Sequence, residues 1–166
     1  YILGAISSLG KTTFLLQTAD QIAESGTDVL YFSLEMSAHE LIAKSVSRQT
    51  YLLCGNDTRK AKTVRGITTK SRYAGYSADE RRLIDNAVLA YQKYAGRLSY
   101  HEGIGNIGAE EIRRQTEAHI RLTGRTPVVM IDYLQIMAPY DLRASDKQNM
   151  DKAVLELKRL SRDCKL

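Results

Sequence analysis

The sequence predicts an α/β fold in which a mostly parallel sheet carries helices on both faces. Short apolar runs alternate with longer amphipathic segments, which is the order of elements in proteins with parallel sheets. Ser-x-x-Glu boxes at 37–40 and 77–80 mark the starts of helices. The length of 166 residues and the hydrophobic content of 43% suit one domain with a packed core.

The individual elements follow from hydrophobic period and from helix-end signals. The predicted strands are apolar runs at 2–6, 29–34, 98–101 and 128–134. The predicted helices, with apolar residues three and four positions apart, lie at 11–24, 37–52, 77–94, 110–122 and 147–162. Gly26 and Gly124 follow predicted helices. Glycine is common there because the residue after a helix often adopts the left-handed backbone conformation. The polar segment 54–76 is predicted as a loop or insertion in a single domain spanning 1–166.

Composition argues against some classes of protein. No apolar run reaches the roughly 18 residues of a transmembrane helix, and the first residues lack the basic segment of a signal peptide. Cys54 and Cys164 have no metal-site spacing, and such isolated thiols are typical of reduced, cytoplasmic proteins. The net charge of +5 mildly favours a polyanionic partner. We therefore expect a cytoplasmic protein with no membrane partner.

The segment 5–12, Ala-Ile-Ser-Ser-Leu-Gly-Lys-Thr, matches the phosphate-loop consensus G-x-x-x-x-G-K-[ST] except at its first position, Ala5. The exception is tolerable because such loops bind phosphate through backbone N–H groups and the positive end of the next helix. Gly10 would admit the phosphates closely, Lys11 would reach the β- and γ-phosphates, and the Thr12 hydroxyl would ligate Mg²⁺. The alternative is a plain Ser/Gly turn that caps a helix.

Asp132 and Glu35 each come at the end of an apolar run. The carboxyl ends of parallel strands meet at one edge of a sheet, where the phosphate loop also lies. We expect Asp132 to hold Mg²⁺ through water, and Glu35 to orient or deprotonate the attacking water. Alternatively, Asp132 is a strand-end cap and Glu35 an exposed loop acid. The residues predicted to bind ATP and Mg²⁺ are Ser8, Gly10, Lys11, Thr12, Thr13 and Asp132.

Three segments resemble the motif series of DnaB-type replicative DNA helicases: residues 9–13, Phe-Ser-Leu-Glu-Met-Ser at 32–37, and Ile-Asp-Tyr-Leu-Gln at 131–135. The resemblance covers nearly all of the chain and is weaker over 54–94. It implies a RecA-like P-loop NTPase that binds ATP between the subunits of a ring, usually a hexamer. It also implies translocation on single-stranded DNA and duplex unwinding in replication, with primase or a helicase loader among the partners.

The resemblance also assigns roles to residues. Lys11 and Glu35 would be catalytic, Thr12 would bind Mg²⁺, and Asp132 would be the second-sphere acid of the metal. The family has a further strand with a γ-phosphate sensor and then an arginine finger, both beyond Leu166. We therefore expect a fold incomplete at the C-terminal end, a fragment of a larger protein and inactive alone. The alternatives are another RecA-like ATPase, such as a recombinase or a clock-type assembly ATPase, or an ATP-gated assembly or loader switch.

The resemblance places a DNA loop after the Asp132 motif, here at about 138–150. Its candidate DNA contacts are Arg143, Lys147 and Gln148. Contacts of this kind are salt-dependent and blind to sequence. The alternative is a solvated loop of mixed charge. The basic run 59–72, followed by Tyr73 and Tyr76, is a second candidate because it combines cations with aromatic rings; its alternative is a solvated insertion.

Overall fold

Three parallel strands form the central sheet of the described residues. The computed structural model describes residues 1–6, 9–103, 107–133, 137 and 139–166. Its strands, in the order β2-β1-β3, are β1 (Val29–Ser33), β2 (Leu98–Glu102) and β3 (Val128–Asp132). Val29 lies opposite Leu98 on one side and Val128 on the other. Every residue of β1 is buried, as expected for a central strand covered on both faces.

Helices connect and cover these strands. The α-helices of the described ranges are α1 (Lys11–Glu24), α2 (Ala38–Leu53), α3 (Val64–Thr68), α4 (Lys70–Ala74), α5 (Ala78–Ala95), α6 (Ala109–Thr123) and α7 (Asp146–Asp163). A short 3₁₀ helix at Thr58–Lys60 lies between α2 and α3. Within the same ranges, no helix has both the length and the apolar character needed to cross a membrane.

Reciprocal capping boxes begin three of the longer helices. At 37–40 and 77–80 the serine hydroxyl accepts the N–H three residues on, and the glutamate carboxylate accepts the serine N–H. These contacts confirm both predicted helix starts. A third box at 145–148, with glutamine in place of glutamate, begins α7. Each box satisfies backbone donors that the first turn of a helix leaves unpaired.

The two faces of the sheet carry separate cores. Val29 and Tyr31 of β1 pack with Met130 of β3 against α1, α2 and α5. The alternate residues Leu30 and Phe32 pack on the other face against α6 and α7. Successive side chains of a strand point to opposite faces, so β1 contributes to both cores. This arrangement confirms the predicted α/β class with a parallel sheet flanked by helices.

The first predicted strand, at 2–6, is absent from the structure. Residues 1–6 are exposed and belong to none of the strands of the described chain. A strand needs a neighbour that accepts its N–H groups and donates to its C=O groups. Both edges of β1 are taken by β2 and β3, and the segment 2–6 pairs with neither of those outer strands. The strand prediction for 2–6 is therefore wrong here. Leu134, the predicted end of the strand at 128–134, lies outside the described residues.

The segment 54–76 differs from the predicted loop because it contains the 3₁₀ helix, α3 and α4. The Lys62 ammonium lies 4.5 Å from the centroid of the Tyr76 ring. The Arg81 guanidinium lies 5.8 Å from the centroid of the Tyr73 ring. Since α3 and α4 have five residues each, less than two turns, no helical period is visible in their sequence. Both tyrosines are packed against cations of the chain itself.

Asp28 joins the amino ends of the three strands. It is 3% exposed and accepts hydrogen bonds from Arg97 at 3.0 Å, His119 at 3.1 Å and Arg125 at 2.7 Å. Burial alone would raise the pKa of Asp28, but the hydrogen bonds from Arg125, Arg97 and His119 outweigh it and lower the pKa. One carboxylate thus connects the segments that precede β1, β2 and β3 with the end of α6.

Asp20 of α1 is a second buried carboxylate, and its pKa is shifted in the opposite direction from that of Asp28. It is fully buried, accepts a hydrogen bond from the Ser45 hydroxyl at 3.0 Å, and lies 3.5 Å from the Arg48 guanidinium. Burial raises the pKa of Asp20 to about 6 in spite of these two neighbours. Its Oδ2 makes no hydrogen bond to the described residues.

We expect Asp20 to make the free energy of unfolding fall as pH rises from about 4 to about 7. The folded chain keeps a proton on Asp20 up to pH about 6, whereas an unfolded aspartate loses it near pH 3.8. The difference between these two pKa values corresponds to a loss of about 3 kcal/mol in the free energy of unfolding across this window. Denaturant unfolding should give a flatter pH profile for Asp20→Asn than for the wild type. The exposed Asp85→Asn is the matched control, and an unchanged slope in Asp20→Asn would contradict the prediction.

Candidate functional site

The start of α1 has the features of an anion-binding helix end. Gly10 is its N-cap with a φ of 83°, in the left-handed region that glycine adopts without strain. Among the described residues no side chain caps this helix, and its first turn carries no acidic residue. The first N–H groups of α1 thus have no side-chain acceptor in the described part of the chain, and they lie at the positive end of the helix dipole. Ser8, one of the predicted ligands, lies outside the described residues.

Lys11 is folded over the segment that precedes it. Its ammonium donates to the carbonyl oxygens of Ala5 at 3.0 Å and Ile6 at 3.1 Å. An ammonium carries three N–H donors, so one remains for a further acceptor such as a phosphate oxygen. The Thr12 side chain beside it is half-buried, and Thr13 is exposed. The cation and the hydroxyls thus gather at the uncapped helix start.

Strand pairing brings Asp132 and Glu35 to the same edge of the sheet. Ser33 lies opposite Asp132, and the Leu34 N–H donates to the Asp132 backbone oxygen at 2.8 Å. Glu35 follows directly, so the two carboxylate-bearing residues stand on adjacent chain segments. Asp132 is buried, at 3% exposure, whereas Glu35 is exposed. A buried, oriented carboxylate and a solvent-accessible one are suited to metal binding and to proton transfer, respectively.

A tight turn after β1 presents Glu35. The Ser33 hydroxyl donates to the Met36 carbonyl and accepts the Met36 N–H, which closes the turn around Glu35. Glu102 of β2 is the neighbouring acid, and its carboxylate accepts the Ala38 N–H at 2.9 Å at the start of α2. Both glutamates line a cavity of about 200 Å³. Glu102 is thus committed to a helix cap, while Glu35 faces solvent.

Asp132 has a partner that the sequence did not reveal. The Tyr31 hydroxyl donates to Asp132 Oδ2 at 3.1 Å, and Tyr31 is completely buried. Burial, with the Asp132 charge beside it, raises the pKa of Tyr31, so the phenol remains a donor. The contact depends on the register that sets Tyr31 opposite Met130, two positions before Asp132. Its sequence signal was a phenol hydroxyl among the apolar residues 29–32 of β1.

The predicted DNA contacts lie around the start of α7. Arg143, Lys147 and Gln148 are all exposed. The side-chain oxygen of Gln148 accepts the Ser145 N–H at 2.9 Å, which leaves its NH₂ group to other partners. The Arg143 N–H donates to the Asp141 carboxylate, so the loop before α7 is shaped by its own acid. Ala138, at the start of the predicted loop, lies outside the described residues.

The second candidate DNA segment, the basic run 59–72, presents some of its cations to solvent. Arg65, Lys70 and Arg72 are exposed on α3 and α4. Lys62, by contrast, forms an ion pair with Glu80. The aromatic rings that follow the run are occupied by intramolecular contacts, which argues against base stacking on them in this conformation.

Known proteins share sequence and structure with this chain. The family model described as the DnaB-like helicase C-terminal domain matches residues 1–166. Replicative DNA helicase DnaB of Pasteurella multocida (strain Pm70) is 26% identical over 166 residues, which cover 99% of this chain and 31% of that protein. The chain thus spans about a third of the length of this curated relative.

Two solved structures are similar to the fold. A solved ATPase domain superposes with a TM-score of 0.79 at 21% identity, over 95% of this chain and 50% of that chain. A DnaB-like replicative helicase, solved in a study of its interactions with primase, superposes with a TM-score of 0.78 at 22% identity. That match covers 95% of this chain and 34% of the helicase chain. At these identities the likeness shows a common fold.

Proposed function

The chain belongs to the family of DnaB-like helicase C-terminal domains, and on that basis we propose that it is the ATP-hydrolysing core of a replicative DNA helicase. The family is the one predicted from the motifs at 9–13, 32–37 and 131–135. The observation that carries the proposal is the pairing of two features. A helix start that no described side chain caps, with no acid in its first turn, bears Gly10 and Lys11, and a sheet edge bears Asp132 and Glu35.

These residues fit a Mg²⁺–nucleotide. The N–H groups at the start of α1 and the third donor of Lys11 suit the phosphates, and the Thr12 hydroxyl suits Mg²⁺. Asp132 would hold the metal through water. Bound ATP supplies the γ-phosphoryl group that is transferred to water. Glu35 would orient that water and accept its proton, a role supported by its exposed side chain on the segment next to the end of β3.

The proposal extends to assembly and partners. As the family resemblance implies, ATP would bind between neighbouring subunits of a ring. The ring would be a hexamer. Single-stranded DNA would be the track, contacted by Arg143, Lys147 and the free amide of Gln148, all exposed near the start of α7. Primase or a helicase loader would bind the ring, a proposal supported by the helicase whose structure was studied with primase.

We expect ATP hydrolysis by the intact protein to rise several-fold on addition of single-stranded DNA and to lose this stimulation as salt is raised. Phosphate contacts release counterions, so binding weakens steeply with salt. The measurement is steady-state ATPase rate with and without a homopolymer strand, repeated in the paired variant Arg143→Ala/Lys147→Ala. Stimulation should fall in that variant while the rate without DNA stays unchanged. Hydrolysis indifferent to DNA would favour an assembly ATPase and overturn the motor proposal.

A further inference from the structure

We propose that Tyr31 is a positioning residue for the Asp132 carboxylate. The role rests on the proposed function, in which Asp132 holds Mg²⁺ through water. Tyr31 would not touch the nucleotide or the metal. It would act through Asp132, by fixing the orientation of the carboxylate.

The geometry of Tyr31 supports such a role. It lies in the central strand of the sheet with none of its surface exposed, and its hydroxyl donates to Asp132 Oδ2 at 3.1 Å. Its ring lies 5.8 Å from the ring of Tyr100 on β2, tilted by 56°. Enclosed by strands on both sides and by the core under α1, the phenol has no room to change rotamer. Close packing therefore holds the donor beside Asp132.

A hydrogen bond to one oxygen defines the plane of a carboxylate. Without it, Asp132 could rotate about its terminal torsion, which is broad and roughly two-fold. Groups that orient a direct metal ligand typically change metal affinity by about 10- to 100-fold when removed, and Tyr31 would stand one shell further out, so the lower end of that range is expected. Within the described ranges Tyr31 bonds the Asp132 carboxylate through Oδ2, and Oδ1 would then serve the metal-bound water. Loss of the hydroxyl should therefore weaken the response to Mg²⁺ rather than nucleotide binding as such.

Tyr100 provides a matched comparison. It lies on the neighbouring strand, opposite Tyr31 in register, and its buried hydroxyl lies near the hydroxyls of Tyr91 and Ser45 and does not bond Asp132. Tyr31→Phe and Tyr100→Phe thus remove the same atom from adjacent positions of one core. Only the first removes a donor from Asp132. Since each variant keeps the ring, both should fold, and thermal unfolding checks this directly.

The experiment measures binding of a fluorescent ATP analogue to the intact protein across a series of free Mg²⁺ concentrations, with an EDTA reference. Tyr31→Phe is expected to raise the Mg²⁺ concentration for half-maximal effect by about tenfold and to leave affinity in EDTA unchanged. Tyr100→Phe should match the wild type. In an Asp132→Asn background, Tyr31→Phe should have no further effect, because the two residues act as one unit.

The outcomes separate this role from the proposed function. If Asp132→Asn leaves the Mg²⁺ dependence unchanged, the metal assignment of the proposed function fails. If Asp132→Asn shifts the Mg²⁺ dependence of nucleotide binding but Tyr31→Phe does not, Asp132 keeps its role and Tyr31 is a core residue only. An equal loss of affinity with Mg²⁺ and in EDTA for Tyr31→Phe would also overturn the positioning role, since it indicates general damage to the site.

Discussion

Lys11→Ala should lower the rate of ATP hydrolysis at least about a hundredfold and weaken nucleotide binding. In the proposed site, the Lys11 ammonium is the cation that neutralises the charge developing on the transferred phosphoryl group. Lys11 is the cation within the first turn itself, which continues with Thr12, Thr13 and Phe14. The Lys44 ammonium of α2 is the neighbouring cation, 3.4 Å from the Thr13 hydroxyl. The backbone N–H groups would still bind phosphate, so residual nucleotide affinity is expected.

The measurement is the ATPase rate of the intact protein, together with the dissociation constant of a fluorescent ATP analogue. Lys93→Ala, an exposed lysine of α5, is the matched control for the loss of one positive charge. Stability should change little in Lys11→Ala, because its present partners are carbonyl oxygens of the exposed segment 1–6, which water can solvate. Unchanged hydrolysis would refute the assignment of the phosphate loop.

Glu35→Gln should abolish turnover while ATP binding persists. The amide has the size of the carboxylate but cannot accept a proton from water, and loss of a general base typically costs about 10²- to 10⁴-fold. Glu35 is exposed, so water reaches its carboxylate directly. Binding should persist because Glu35 lies after β1 and is separate from the helix start that would hold the phosphates.

Single-turnover hydrolysis and analogue binding should be measured together for this variant. Glu110→Gln, an exposed acid at the start of α6, is the matched control. If the protein were a nucleotide switch without productive hydrolysis, Glu35→Gln would leave its biological activity intact. A motor, by contrast, would stall with ATP bound. Normal turnover in Glu35→Gln would show that another group activates the water.

Local sequence signals predicted those parts of the fold that depend on local physics. Capping boxes gave the starts of α2 and α5, because the box is formed by residues three positions apart. The left-handed Gly124 ended α6 for the same reason. The strand prediction for 2–6 was wrong because a strand forms only beside a neighbour to which it can hydrogen-bond, and apolar content does not show whether there is one. The short α3 and α4 were missed because neither shows a full hydrophobic period.

The residues of the candidate site also differ in whether a local sequence signal predicts them. Gly10, Lys11 and Thr12 were located by a contiguous motif, and Asp132 and Glu35 by the apolar runs before them. Tyr31 was not, because its contact with Asp132 requires the register of β1 on β3. That register is set by packing on both faces of the sheet, which no window of sequence contains.

Asp28 has a consequence for the order in which the chain folds. Its partners Arg97, His119 and Arg125 follow it by 69, 91 and 97 residues. We expect contacts so distant along the chain to form late, because loop closure costs entropy before the contacts offset it. The carboxylate gains its full set of donors only when all three strands are aligned, whereas a shift of one residue would exchange the two faces of a strand. Asp28 thus favours the native alignment over a shifted one at the moment the sheet closes.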